Sequence, residues 1–168
     1  MLRLLIPGSS RTKEDGTMSM DQISIFWHRT DTPRSPYLTT DELKALTASG
    51  IIAQKQNLSD LPRLAKNGGY INQDEVELTP DTPNLDAILK SFSEEHQHAL
   101  DEVRYITAGE GIFDIRSDDD RWVRVHAPAG TYLVVPALRY HRFFLTKTKH
   151  VKAIRLFKDV SGWKAIYR

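Results

Sequence analysis

Between Glu95 and Arg104 the chain reads Glu-His-Gln-His-Ala-Leu-Asp-Glu-Val-Arg, which puts His96, His98, Glu102 and Arg104 at even positions. On a strand such positions share one face, because successive side chains point to opposite sides. Two imidazoles two residues apart, with a carboxylate further along, can occupy one face of an octahedral divalent ion. A fourth donor has to come from elsewhere, and His141 is the best candidate. Pro136 precedes it and the apolar Phe143-Phe144-Leu145 follows, so it reads as part of a later strand that a closing barrel brings alongside. Three neutral imidazoles and one carboxylate leave a divalent ion with a net charge of about +1 and, in octahedral geometry, two open positions for a bidentate oxygen ligand.

By ligand type this set suits Fe(II), Ni(II), Mn(II) and Co(II) alike. Catalytic zinc usually takes three protein ligands and a water, so four protein ligands argue against zinc-hydroxide hydrolysis. His-x-His alone is a weak signal, and the combination with Glu102 and His141 is what carries weight. Arg104 reads two ways. It is either an ion-pair partner at a barrel rim or a guanidinium aimed at an anionic enolate or carboxylate substrate. His28, His126 and His150 read as solvated or core-satisfied histidines without a role. Asp101, Asp118, Asp119 and Asp120 read as solvated turn residues and not as a second metal cluster.

Composition narrows the chemistry further. The chain has no cysteine, which leaves His and carboxylate as metal ligands and excludes thiolate zinc, iron–sulfur ligation and cysteine nucleophiles. Lys plus Arg (23) nearly cancels Asp plus Glu (22), so no field of one sign draws in nucleic acid or an anionic membrane. No apolar run approaches the roughly 20 residues that span a bilayer. A small-molecule partner, a monomer and a reducing intracellular address are the expectations, the cytoplasm first and the nucleus second. A chain of 168 residues with 40% hydrophobic composition suits one folded unit. That unit is expected over residues 21–168, after an N-terminal extension over 1–20. The extension is basic up to Glu14 and precedes a second possible start at Met18 or Met20; it reads as a disordered or targeting stretch or, preferably, as an alternative start.

The elements that must position these residues fall into two halves. Ile23-Ser24-Ile25-Phe26-Trp27 reads as a strand, broken by the Pro and Thr cluster from Asp31 to Thr39. Thr39-Thr40-Asp41-Glu42 has capping-box spacing, with Leu43 and Leu46 on one face and Gly50 placed to end the helix. Ile51 and Ile52 open a short strand, and Leu58 to Lys66 and Asn84 to Phe92 carry apolar residues at helical spacing. The first half is therefore expected to be mostly helical. After Glu95 come short runs rich in Val, Ile, Tyr and Phe, separated by turn signals at Gly109-Glu110-Gly111, Ser117 to Asp120 and Pro128-Ala129-Gly130. Such spacing predicts a sandwich or small barrel, hence a mainly β fold with flanking helices.

Glu95-His96-Gln97-His98, Glu102-Val103-Arg104-Tyr105-Ile106 and Gly109-Glu110-Gly111-Ile112-Phe113-Asp114-Ile115-Arg116 together resemble the core of the acireductone dioxygenases. Asp120-Arg121-Trp122-Val123-Arg124, Tyr140-His141-Arg142-Phe143 and Lys152 to Asp159 through Trp163 and Arg168 continue the likeness in the same order. It covers roughly Phe92 to Arg168, with a fainter trace from Tyr37 to Ile52. The resemblance implies a cupin barrel, a jelly-roll or double-stranded β-helix, that binds one Fe(II) or Ni(II) per chain through His96, His98, Glu102 and His141. It implies cleavage of 1,2-dihydroxy-3-keto-5-methylthiopentene by O2 in methionine salvage. The iron form would yield the 2-keto acid precursor of methionine and formate, the nickel form methylthiopropionate, formate and carbon monoxide. By the same resemblance Arg104 and Arg155 face the substrate, while Phe92, Phe143 and Trp163 form the apolar part of the pocket.

The sequence departs from the family at Leu138-Arg139, where a Gly-containing turn is usual, and at Val160-Ser161, where Glu-Pro is usual. Arg139 is thus expected to alter the pocket mouth. Two alternatives stand beside the dioxygenase reading: another metal-dependent cupin enzyme, an isomerase or oxygenase with the same ligands, and a non-catalytic metal-binding cupin. No residue is assigned as general base.

Overall fold

The computed structural model describes residues 22–28, 38–159 and 163–168. The expectations for residues 1–20, for the break over 31–37 and for Val160-Ser161 lie outside them. The first strand, β1 (Ser24–Trp27), falls where the Ile-Phe-Trp run put it. Helix α1 (Thr40–Ala48) starts at the expected capping box: the Glu42 amide donates to Thr39 Oγ1 (3.2 Å) and the Thr39 amide to Glu42 Oε2 (2.7 Å). Such a cap adds about 1 kcal/mol of helix stability. Then follow β2 (Ile52–Lys55), a single 3-10 turn at Leu58–Asp60 and α2 (Leu61–Gly68). Strand β3 (Asn72–Leu78) precedes α3 (Leu85–Ser93). The remainder is strand: β4 (His96–Gln97), β5 (Glu102–Arg116), β6 (Trp122–Pro128), β7 (Thr131–Val135), β8 (His141–Leu145), β9 (Val151–Phe157) and β10 (Ile166–Tyr167).

All pairings are antiparallel and form two sheets, ordered β1-β6-β5-β8-β4-β10 and β2-β7-β5-β9-β3. Strand β5 belongs to both. Its first half pairs with β7 and β9, and its second half with β6 and β8. Gly109-Glu110-Gly111 is therefore not a turn between strands, as its composition suggested, but a corner within one strand. Gly109 takes φ +65 there, and a Cβ would run into the His150 carbonyl, so only glycine fits. A bulge between Ile106 and Ala108 precedes the corner and shifts the inward parity. Ile106 packs into the barrel core before the corner; Phe113 and Ile115 do so after it. The two curved sheets make the cupin barrel, with Ile106, Phe113, Ile115, Val123, Val125, Leu133 and Val135 fully buried inside.

The first half of the chain is less helical than its periodicity implied, because β2 and β3 extend the second sheet. Strand β3 was not anticipated. It carries Asp74, Glu75 and Glu77 on a partly solvated edge, with apolar residues only at Val76 and Leu78. Its register is set by cations across the pair: Arg155 Nε lies 2.7 Å from Asp74, and Lys152 lies 2.9 Å from Glu75. Leu85, Ile88, Leu89 and Phe92 turn the apolar face of α3 to the barrel, and Leu61, Leu64 and Ala65 of α2 cover Val103 and Tyr105 on the outer face of β5. Among the described residues no helix is long and apolar enough to cross a membrane.

One polar ladder stiffens the first sheet. Asp114 of β5 is fully buried between Arg124 of β6 and Arg142 of β8, its register partners. Arg124 Nε and Nη2 donate at 2.7 and 2.8 Å, and Arg142 Nε at 3.0 Å. Removing the carboxylate leaves two cations facing each other with no counter-charge. Asp114→Ala should cost about 3 kcal/mol, or roughly 6–12 °C in Tm for a chain of this size, measured by thermal denaturation; an unchanged Tm would show the ladder to be dispensable.

Candidate metal centre

The four residues singled out for metal binding come together. His96, His98, Glu102 and His141 are all buried and offer ligand atoms within 4.8 Å of one another. His96, His98 and Glu102 do not lie on one continuous strand, as their shared parity implied, while His141 does come from a later strand. His96 is in β4, His98 and Asp101 lie in the break that follows, and Glu102 opens β5. Backbone pairing of His96 with His141 brings β8 in as the fourth donor's carrier.

Each imidazole is oriented by a main-chain carbonyl. Nδ1 of His96 donates to Glu94 O (2.7 Å), that of His98 to Lys164 O (3.0 Å) and that of His141 to Arg139 O (2.9 Å). Carbonyls only accept, so each Nδ1 keeps its proton and each Nε2 is left with an inward lone pair. Nε2 of His98 and His141 then lie 3.0 and 3.1 Å from the same oxygen, Oε2 of Glu102. Lone pairs at that separation repel unless a proton or a metal cation lies between them. Adjacent ligands on an octahedral ion with bonds of about 2.1 Å are about 3.0 Å apart, and opposite ones about 4.2 Å. The observed spacing fits a divalent transition metal held by three imidazoles and one carboxylate oxygen.

The other carboxylate oxygen, Oε1, accepts from Arg104 Nε at 2.7 Å. Burial would raise the Glu102 carboxyl, but the Arg104 guanidinium and the His141 and His98 imidazoles overcome it and hold the group well below the usual carboxylate range. Burial pushes His96 down, aided by His141. At His98 burial also pulls down, but the bonds to Glu102 and to the Lys164 carbonyl outweigh it and the net direction is up.

Arg104 thus joins the two readings its position allowed. It pairs with a ligand carboxylate and also lines a cavity inside the barrel, with Phe92, Ile106, Phe113 and Phe143. Phe92 and Phe143 meet edge to face at 6.0 Å. Trp163 is placed elsewhere: its ring stacks on His98 (5.9 Å, 27°), its Nε1 donates to Asp101 O (3.0 Å), and the Arg104 guanidinium lies 5.2 Å from its centroid. Arg155 is bound to Asp74, and its guanidinium lies 5.5 Å from the Trp163 ring centroid.

Three features were not legible in the sequence. Asp101 is not a solvated turn residue: its carboxylate accepts from the Ala137 amide (3.0 Å), the Tyr70 hydroxyl (3.3 Å) and Lys158 (2.7 Å). Its place between two ligands was the one signal available. The carbonyls of Glu94, Arg139 and Lys164 carry no side-chain signature at all. Arg139 does not reach into the pocket; it binds Asp118 (2.8 Å) and the Arg116 carbonyl (3.3 Å), while Leu138 holds φ +60 and its amide donates to His98 O (2.8 Å). His126 and His150 pair with Glu110 and Glu77. Asp118, Asp119 and Asp120 are exposed in the turn before β6, as expected.

The chain is similar in sequence and in fold to known proteins. An acireductone dioxygenase from Heterostelium pallidum is 47% identical over 108 residues, 64% of this chain and 74% of the relative. One from Yarrowia lipolytica is 37% identical over 156 residues, 87% of this chain and 90% of the relative. Among solved structures, an acireductone dioxygenase from Bacillus anthracis with a cadmium ion in its active centre superposes with a TM-score of 0.73 at 30% identity, covering 90% of this chain and all of that one. With the family model matching residues 28–165, the chain belongs to the ARD/ARD' family, a family of metal-binding dioxygenases.

Proposed function

We propose that this protein cleaves the acireductone 1,2-dihydroxy-3-keto-5-methylthiopentene with O2, as a step of methionine salvage, using Fe(II) or Ni(II) held by His96, His98, Glu102 and His141. The observation that carries this reading is the cluster of three carbonyl-oriented imidazoles and one buried carboxylate, whose ligand atoms lie within 4.8 Å of one another. The bound ion would supply positive charge and open positions for the two adjacent oxygens of an enediolate.

The chain's own residues account for the rest. Arg104 adds a guanidinium at the cavity wall, where it favours the deprotonated, anionic substrate over the neutral one. That preference helps catalysis because the dianion is the electron-rich species that reacts with O2. Phe92, Phe143, Phe113 and Ile106 offer the thioether tail an apolar seat and keep water from the enediolate. Trp163 braces the His98 ring from outside, and Arg155, tied to Asp74, braces Trp163. The apolar seat beside a cation favours this substrate over the small polar acids that another cupin enzyme would take.

Loading the metal-free protein separately with iron and nickel under anaerobic conditions, then adding acireductone and O2, should give metal-dependent loss of the enediol. Iron should yield 4-methylthio-2-oxobutanoate and formate; nickel should yield methylthiopropionate, formate and carbon monoxide. Stoichiometric metal without turnover would instead favour a different cupin chemistry. His98→Ala and Glu102→Ala should each lose bound metal and activity together, as read by elemental analysis beside the assay; full metal content with full activity after either change would remove that residue from the ligand set. Because Arg104 touches both Glu102 and the cavity, Arg104→Ala should raise KM and weaken metal binding by about 10-fold or more. A change in KM alone would confine its role to substrate.

A further inference from the structure

The polar atoms of Asp101 tie together both segments that carry ligands. It sits in the break between β4 and β5, between His98 and Glu102. One oxygen, Oδ1, accepts the Ala137 amide from the loop that leads to His141. The other, Oδ2, accepts the Tyr70 hydroxyl from the segment before β3 and the Lys158 ammonium from the end of β9. Its carbonyl accepts the Trp163 indole, whose ring lies on His98. A second bond in the same place, from the Leu138 amide to the His98 carbonyl, makes the contact between the two loops a two-point clamp.

Each of these contacts constrains a ligand without touching the metal position. The Ala137 and Leu138 amides set how far the loop before β8 stands from residues 98–101, and that loop supplies the Arg139 carbonyl that orients His141. Trp163 is followed directly by Lys164, whose carbonyl orients His98. Releasing Asp101 would therefore loosen His98 and His141 together, although it is hydrogen-bonded to neither ring. No strand pairing holds residues 98–101, so the Leu138–His98 backbone bond and the side-chain bonds of Asp101 and Trp163 are what define this stretch.

We infer that Asp101 is a positioning residue for the metal centre, whose carboxylate sets the spacing between the His98–Glu102 segment and the His141 loop and thereby the affinity and geometry of the bound ion. The inference rests on the four-ligand reading above. In that role Asp101 needs both oxygens: Oδ1 to hold the amide, and Oδ2 to hold Tyr70 and Lys158, which fix the carboxylate's own rotamer.

The test uses the full chain and Co(II), whose visible spectrum reports ligand geometry. The wild type should bind one Co(II), competed by a chelator with a single affinity. Asp101→Ala should bind it at least about 10-fold more weakly, with an altered spectrum, while the metal-free variant melts within a few degrees of the metal-free wild type. Tyr70→Phe and Lys158→Met, which each remove one arm, should show smaller losses in the same direction and decide the matter if Asp101→Ala does not fold. An unchanged Co(II) affinity and spectrum in the variants would overturn the inference, as would an equal loss of Tm with and without metal, which marks a purely structural contact. A wild type that binds no Co(II) would overturn the four-ligand reading itself.

Discussion

A carboxylate only 3% exposed, inside a β-barrel and within 3.1 Å of two imidazole nitrogens, is the constraint on which the rest of this structure depends. An isolated buried charge of that kind is costly, and a fold keeps it only where counter-charge and hydrogen bonds are supplied at fixed distances. Here Arg104 takes one oxygen, His98 and His141 lie against the other, and His96 completes the cluster within 4.8 Å. The partners come from β4 and the break after it, from β5 itself and from β8, and the Lys164 carbonyl orients His98, so the burial of Glu102 ties β4, β5, β8 and the C-terminal segment into one unit. The short β10, paired with β4, belongs to the same device: Arg168 binds Glu95 and Asp120 and holds the chain end against the strand that bears His96.

Strand β5 is the piece that makes this possible. It carries Glu102 and Arg104 at one end and the Asp114 ladder at the other, and it changes sheets at Gly109. The bulge before the corner means that even positions face inward near the metal, whereas odd positions do so beyond it. The same alternation that points Arg104 at the cavity therefore points Asp114 away from it, onto the outer face beside Arg124 and Arg142. One strand thus holds two buried carboxylates with opposite duties: Glu102 makes the cation site, and Asp114 holds three strands in register.

Much of this was legible from residue types alone. The ligand set could be read because imidazole and carboxylate at short spacing have few structural uses in a chain without cysteine, and α1 and α3 could be read because capping and helical periodicity are local. What escaped is non-local. Strand β3 looks like an acidic loop until Lys152 and Arg155 of β9 stand opposite it. Gly109 looks like a turn because a corner and a turn ask the same backbone freedom of glycine, and only strand pairing distinguishes them. Asp101 looks like a surface residue because its partners at 70, 137 and 158 are distant in sequence. The carbonyls that set the histidine tautomers have no residue identity to read.

The division between ligands and their supports also explains how departures from the usual family pattern can be tolerated. Leu138 takes a left-handed conformation that a glycine would adopt without strain, which costs on the order of 1 kcal/mol or more. Its side chain is exposed, so the cost is not repaid by burial. What the turn supplies instead is backbone: the Leu138 amide meets the His98 carbonyl, and the Arg139 carbonyl meets His141. Any residue that can be held in this turn furnishes those two groups, because neither contact uses a side chain. Arg139 is free to reach out to Asp118 for the same reason, and its charge is spent on the rim rather than the pocket. The metal centre therefore constrains the path of this loop much more tightly than its sequence, and the side-chain chemistry is confined to Glu102, the three histidines, Arg104 and the residues that brace them.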